Sequence, residues 1–427
     1  MSVSPCSRHG ERACPWPGLA ALLVVSACGG GQTRGSPFDP GWTDDHGAAM
    51  SAFQASFHAV RVPLGADVAV GVIGKTTLVG VPLGGGKPWA FEHELHGRPA
   101  VAGTVVVAAG AGEIFALEAT TGKLVWSRSS GGRIRGIGDD GATTVVSLIP
   151  ATGFGSLVLA IARDGSVVRQ MEDDASIGVP AVAGDTVFFP WGDRFLSVYD
   201  LPSGDERARL GFPRRVSRAF ALGGVIFAGE ASFTRFDARI GLVEGRGATT
   251  ATLPAPLGGL PGKPVWMRPG TDWINRKSDA TDKVSLYARP TTAGPAGVEA
   301  DRFAATYFRV ALGFDASTGA LVWARAHDAD FLGGAAYRGG FALCDASGAV
   351  TFLDARSGGV AGRTSLGKPI DACLVQADAL ALPPAPNAVP LAEQLTRVLG
   401  ITAPELAPVQ RVLRDRVHLD GASGGRP

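Results

Sequence analysis

The apolar positions of this chain fall in short runs, not in the long one-sided stripes of helices. Runs such as DVAVGVI, TVVVAA and DTVFF are rich in β-branched and aromatic residues and end at Gly, Pro or Asp. That pattern predicts many short strands joined by many turns. The punctuation is periodic. An apolar residue, an acid, three further residues and a Gly recur as LEATTG, YDLPSG, FDARIG, FDASTG and LDARSG. The acids are Glu118, Asp200, Asp237, Asp315 and Asp354, and the glycines are Gly122, Gly204, Gly241, Gly319 and Gly358. An Asp side chain accepts backbone N–H groups two or three residues on, and Gly supplies the positive φ that closes such a corner.

Looser copies end at Gly85 and Gly165, so the intervals from Gly85 onward are 37, 43, 39, 37, 78 and 39 residues. The long interval is twice 39, which sets a period of about 39 residues with one gap or insertion. PAVAG at Pro99–Gly103 and Pro180–Gly184 keeps the same phase, each copy being followed by a strand-like run. Trp89, Trp126 and Trp323 each fall four positions after a corner glycine, where an aromatic ends the next strand and packs between neighbouring units. Each unit then holds about four strands in roughly 40 residues, the size of a propeller blade.

FALEATTGKLVW and LGFDASTGALVW closely match Ala-Leu-Asp-x-x-Thr-Gly-x-x-x-Trp, and through them the chain resembles the PQQ-like, quinoprotein-type β-propeller repeat over residues 57–382. The other copies keep the Asp and Gly but lack the Trp. The expected fold is all-β, a propeller of seven blades with four antiparallel strands each. Residues 242–303, which hold seven prolines, are either an insertion or a degenerate eighth blade. The run IDACLVQADALAL at 370–382 is expected to pair with the first blade near DVAVGVI and so close the ring.

The ends differ in character. Arg8 and Arg12 precede the apolar run GLAALLVVSA, which is about half the ~20 residues of a spanning helix and ends at Ala27. Val25-Ser26-Ala27-Cys28 resembles the bacterial lipobox, which makes residues 1–27 a lipoprotein signal peptide, Cys28 the lipidated residue and 28–56 a Gly-rich tether. Gly29 in place of Asp points, by the enteric sorting pattern, to the outer membrane with the propeller facing the periplasm. Beyond Pro383, the spacing of Leu391, Leu395, Val398 and Leu399, and of Leu406, Val409, Val412, Leu413 and Val417, predicts two short amphipathic helices in 383–427, ending in a disordered GASGGRP. In the mature body only Cys344 and Cys373 remain. An oxidising compartment leaves two readings, a disulfide or two buried thiols.

Composition excludes more than it assigns. Forty Lys and Arg against 39 Asp and Glu leave a formal charge of +1, with no electrostatic footprint for nucleic acid. Gly 60 and Pro 29 accompany 45% hydrophobic residues, too apolar for disorder. AVGVIGKT lacks the first Gly of a phosphate loop and reads as a hairpin turn, and GASGG at Gly421–Gly425 has no strand before it to form a nucleophile elbow. His93, Glu94 and His96 alternate on a strand end and do not have the spacing of a zinc helix. Quinoprotein alcohol dehydrogenases carry an adjacent cysteine pair over their cofactor, and no two of the five cysteines here are adjacent.

The expected protein is therefore a scaffold and not an enzyme, with no catalytic, cofactor or metal residues. With its lipobox the chain resembles the BamB-like lipoproteins of outer-membrane β-barrel assembly. That likeness implies membrane attachment through lipid and protein partners among the assembly components. The alternatives from other classes are a quinoprotein oxidoreductase and a surface sensor or adhesion module.

Overall fold

The computed structural model describes residues 62–212, 214–230, 233–237, 241–244, 284–292, 298–318 and 320–378. The signal segment, Cys28, the tether, the helical tail, Gly319 and residues 57–61 and 379–382 of the expected propeller lie outside the described residues. Chain order supplies β1 (Val68–Ile73), β2 (Thr77–Pro82) and β3 (Trp89–Glu92), then β4 (Ala100–Ala102), β5 (Val105–Ala109), β6 (Glu113–Glu118) and β7 (Leu124–Ser129). Next come β8 (Arg133–Asp139), β9 (Thr143–Ile149), β10 (Ser156–Ala162) and β11 (Val167–Asp173), followed by β12 (Ala181–Ala183), β13 (Thr186–Trp191), β14 (Phe195–Asp200) and β15 (Glu206–Gly211). A fifth group is β16 (Arg218–Leu222), β17 (Val225–Gly229), β18 (Phe233–Asp237) and β19 (Gly241–Glu244). The last two are β20 (Val284–Tyr287), β21 (Arg302–Tyr307), β22 (Val310–Asp315) and β23 (Leu321–Ala326), and β24 (Phe331–Tyr337), β25 (Gly340–Asp345), β26 (Ala349–Asp354) and β27 (Val360–Ser365), after which β28 (Ala372–Gln376) ends the described chain.

These strands form seven four-stranded antiparallel sheets. Six are consecutive meanders, and the first is β28-β1-β2-β3. Strand β28 lies antiparallel to β1, Val70 opposite Leu374 and Gly71 opposite Cys373, so the two ends of the described chain share one blade. The six described corner glycines, Gly85, Gly122, Gly165, Gly204, Gly241 and Gly358, belong to six different blades. Across the 78-residue interval no extra sheet appears among the described residues, the VSLY run is the first strand of the sixth blade, and residues 245–283 of the expected insertion or eighth blade lie outside the described residues.

The burial pattern explains why the central strands read as apolar runs. Every residue of β5, β13 and β21 is buried, because each blade is covered on both faces by its neighbours. Seven apolar clusters result, each straddling one seam between adjacent blades. Outer strands are wet by contrast: in β11 five of seven residues are exposed and none is buried.

Candidate functional site

The corner residues set the outer half of each seam. In the four-residue corners, Gly122, Gly204 and Gly358 donate their N–H to the carbonyls of Glu118, Asp200 and Asp354 with φ of +68°, +78° and +64°. The Asp side chains take the intervening donors. Asp200 accepts from Ser203 N, Asp354 from Arg356 N and Ser357 N, and Asp315 from Ser317 N and Thr318 N at 3.0 Å each. Hydrogen bonds from Ser203 hold the Asp200 carboxyl below its usual range. For Asp315 burial works upward, but the Ser317 and Thr318 donors prevail and the net shift is downward. Glu118 departs from this pattern: its side chain, one methylene longer, leaves the turn and pairs with Arg163 of the third blade. Asp237 stands opposite Gly241 at the β18–β19 hairpin, and its side chain lies outside the described set.

The tryptophans open their strand or sit in its middle, where the sequence expectation had them at its end. Trp89 in the first blade donates Nε1–H to the Ala119 carbonyl of the second at 2.9 Å, and Trp323 in the sixth does the same to Ala355 of the seventh at 3.0 Å. Each ring presses on the next blade's corner glycine, where a Cβ would come within 2.5 Å of it (Gly122 against Trp89, Gly358 against Trp323). Only Gly therefore serves at these two corners, by φ and by space. Trp126 lies against Gly165, but the corner there is the two-residue Asp164–Gly165, which presents no equivalent carbonyl, and the indole N–H has no protein acceptor.

The seam between the third and fourth blades has a joint that the sequence reading missed. Arg169 stands four residues after Gly165, the tryptophan's own offset. Its Nε donates to Leu201 O at 2.9 Å, the residue after corner acid Asp200, and its guanidinium also bonds Pro202 O and covers Gly204. The constant offset of four residues marks this joint in the sequence, although the residue there is not aromatic.

The inner strands line an axial channel, in which β4, β8, β12, β16, β24 and β28 each contribute. Where these strands end, residues 62–66 cross the channel. Val62 packs on the cluster between the fourth and fifth blades, and Ala66 N bonds Gly103 O of the second blade at 2.7 Å. Asp378, just after β28, accepts from the backbone N–H of both Gly65 and Gly223. Arg289 donates to Ala377 O at 2.9 Å and Asp378 O at 3.2 Å, and its Nε faces Glu299 at 3.1 Å. Asp139, at the end of β8, accepts from Thr104 N at 2.7 Å and Thr144 Oγ1 at 2.8 Å. Burial pushes both Asp139 and Asp378 upward from the carboxylate range, against the pull of these donors. The carboxylates at this mouth thus serve as acceptors for backbone and hydroxyl donors.

His93 pairs with Glu113 at 3.0 Å and His96 with Glu94 at 3.0 Å, two separate contacts at the end of β3. Among the described residues no three His, Cys, Asp or Glu side chains are placed to share a metal ion. Cys344 and Cys373 are joined as a disulfide, their Cα atoms 6.5 Å apart. They lie on β25 and β28, strands of different blades and not neighbours within one sheet, because β28 leaves the seventh blade to complete the first.

Seven four-stranded blades closed by the last strand, with Asp/Gly corners and tryptophan joints, define a PQQ-like β-propeller repeat protein. Residues 75–218, about a third of the chain, match the family model described as outer membrane protein assembly factor BamB. Among solved structures the chain is similar to BamB from Moraxella catarrhalis, with 17% identity over 71% of this chain and 84% of that one and a TM-score of 0.35. The dihydro-heme d1 dehydrogenase NirN in complex with DHE shares 15% identity over 73% of this chain and 69% of that one, with a TM-score of 0.39. The computationally designed Ika8 protein shares 14% over 67% and 91%, with a TM-score of 0.38. No curated protein matches the chain.

Proposed function

We propose that the protein is a non-catalytic, lipid-anchored scaffold of the bacterial cell envelope, which binds protein partners in the assembly of outer-membrane proteins. The observation that carries this reading is the way the repeat residues are used. Corner acids accept turn N–H groups, the channel carboxylates accept backbone donors, and the tryptophans and Arg169 join blades. Among the described residues these side chains are thus accounted for as architecture, which leaves loops and outer strands to do the work of a binding protein. The match of residues 75–218 to the assembly-factor model supports the choice of process, and the Val25–Cys28 lipobox supports the anchor.

The test is in vivo crosslinking of the full chain in native membranes, followed by affinity purification. Co-recovery of outer-membrane assembly proteins, lost when the outer strands are blocked by substitution, is the expected result. Recovery of the propeller alone, or quinone-dependent reduction of a redox dye by the purified protein, overturns the reading.

A further inference from the structure

The seven seams of the ring are not equally fastened. From the first blade to the second, the second to the third, the third to the fourth and the sixth to the seventh, a side chain four residues after a corner glycine reaches the next blade's corner. From the seventh to the first, that position is Gly362, which meets only Phe352 of its own sheet, while the receiving corner glycine, Gly85, has nothing within 4 Å of where a Cβ would stand. At corner Gly85 the closing seam therefore lacks the joint that a side chain four residues after a corner glycine makes at four other seams. Yet this seam holds the ends of the described chain together. Strand β28 has one hydrogen-bonded neighbour, β1, over five residue pairs, and no peptide connection joins it to the rest of the first blade. The inner half of the seam carries the Cys344–Cys373 bridge. Gly333 of β24 packs so closely on β28 that a Cβ there would lie 2.5 Å from the Cys373 carbonyl oxygen.

We propose that the Cys344–Cys373 disulfide is the clasp of the propeller, an oxidative modification that fastens the closing strand β28 to the seventh blade in place of the missing outer joint. Cys344 is 0% and Cys373 2% exposed, so an oxidant has no access to the two thiols once β28 is docked. The bridge forms while the strand is still settling. The two thiols give up two protons and two electrons to the disulfide of a thiol–disulfide oxidoreductase, which leaves as a dithiol, and one S–S bond is gained here as one is lost there. Closure then buries the bond and shields it from reductants. The cross-link spans 29 residues, and its effect falls on states in which the ring has opened.

Two measurements on the full chain test this. In Cys344→Ala/Cys373→Ala, amide exchange of peptides covering 68–73 and 372–376 should quicken by about tenfold or more relative to the wild type, while 143–149 in the third blade changes by less than about twofold. Equal acceleration everywhere, or none at the seam, overturns the clasp. The wild type gives a readout that does not depend on the variant folding. Incubated with a phosphine reductant across a urea series, its bridge should resist reduction in buffer and yield at urea concentrations where the other blades keep their strand signal. Reduction in buffer alone, or only together with global unfolding, overturns the proposal.

Discussion

Arg169 lies over Gly204 as Trp89 lies over Gly122, and donates to the carbonyl after the corner acid as that tryptophan does. A planar cation and an indole thus meet the same two demands, a flat surface on a bare glycine and one N–H aimed at one carbonyl. The four joints are specified by a position and not by an aromatic.

That equivalence separates two classes of corner glycine. Gly122→Ala places a methyl group against the Trp89 ring at a residue with φ of +68°, and should cost about 3 kcal/mol. Gly85→Ala meets no neighbour within 4 Å at φ of +102°, and should cost only the backbone term of about 1–2 kcal/mol. Urea midpoints of the two variants check the ranking, and equal losses would show that the ring contact contributes nothing.

How much of this was legible in the chain follows from distance along it. The corner acids, their glycines and three tryptophans repeat within one unit, so a period exposes them. The pairing of β28 with β1 could be expected because a propeller with an unpaired edge is incomplete. Asp378 and Gly65 are 313 residues apart, and nothing local marks their contact across the channel. The two cysteines occur in succeeding apolar runs, which by themselves suggest neighbouring strands. The ring's closure puts those runs in different blades, a property of the topology and not of either run.

Asp315 does more than cap a turn. Its Oδ2 accepts from Arg302 Nη1 at 2.7 Å, and both side chains are nearly buried. Asp315→Asn keeps the turn acceptor and loses the ion pair, whereas Asp315→Ala loses both and leaves a buried guanidinium. Losses of about 1–2 and about 3 kcal/mol are expected respectively. Because the folded carboxyl is held below its usual 3.8, this contribution is complete above that pH and fades as pH falls through the lower folded value. Acid denaturation of Asp315→Asn against wild type should show the difference shrinking below about pH 4, and a constant gap would remove the charge from the account.

His327 sets a second pH dependence of the opposite chemical kind. Burial, aided by Arg325, lowers its imidazole from 6.5 to about 4, and its ring lies edge-on to Phe331 at 4.5 Å. The unfolded chain therefore takes up this proton first as pH falls, so stability is full above 6.5 and declines between 6.5 and 4. With partial exposure discounted, the loss by pH 5 should be about 1–2 kcal/mol. Thermal melts at pH 7 and pH 5 should differ less for His327→Gln than for wild type, and an identical shift in both would locate the acid sensitivity elsewhere.

Asp378 is the single side chain that ties both the entering segment and the β16–β17 turn to the end of the closing strand. Asp378→Ala strands the N–H groups of Gly65 and Gly223 and takes a carboxylate from beside Arg289, which is 2% exposed. A loss of about 3 kcal/mol is expected. Exchange at Gly65 and Gly223 should accelerate ahead of the blade cores, and uniform acceleration would mean that the crossing segment is held by other contacts.

The proposed membrane attachment rests on Cys28, in the segment outside the described residues. The run GLAALLVVSA is too short to span a bilayer, while a single acyl chain holds a protein only marginally and two or more hold it firmly. If the thiol at Cys28 carries the lipid, Cys28→Ser should abolish palmitate labelling and move the protein from the carbonate-resistant membrane pellet to the soluble fraction, with blade stability unchanged. A Cys28→Ser protein that stays in the pellet and still takes up label would require a different anchor and would detach the scaffold reading from its membrane.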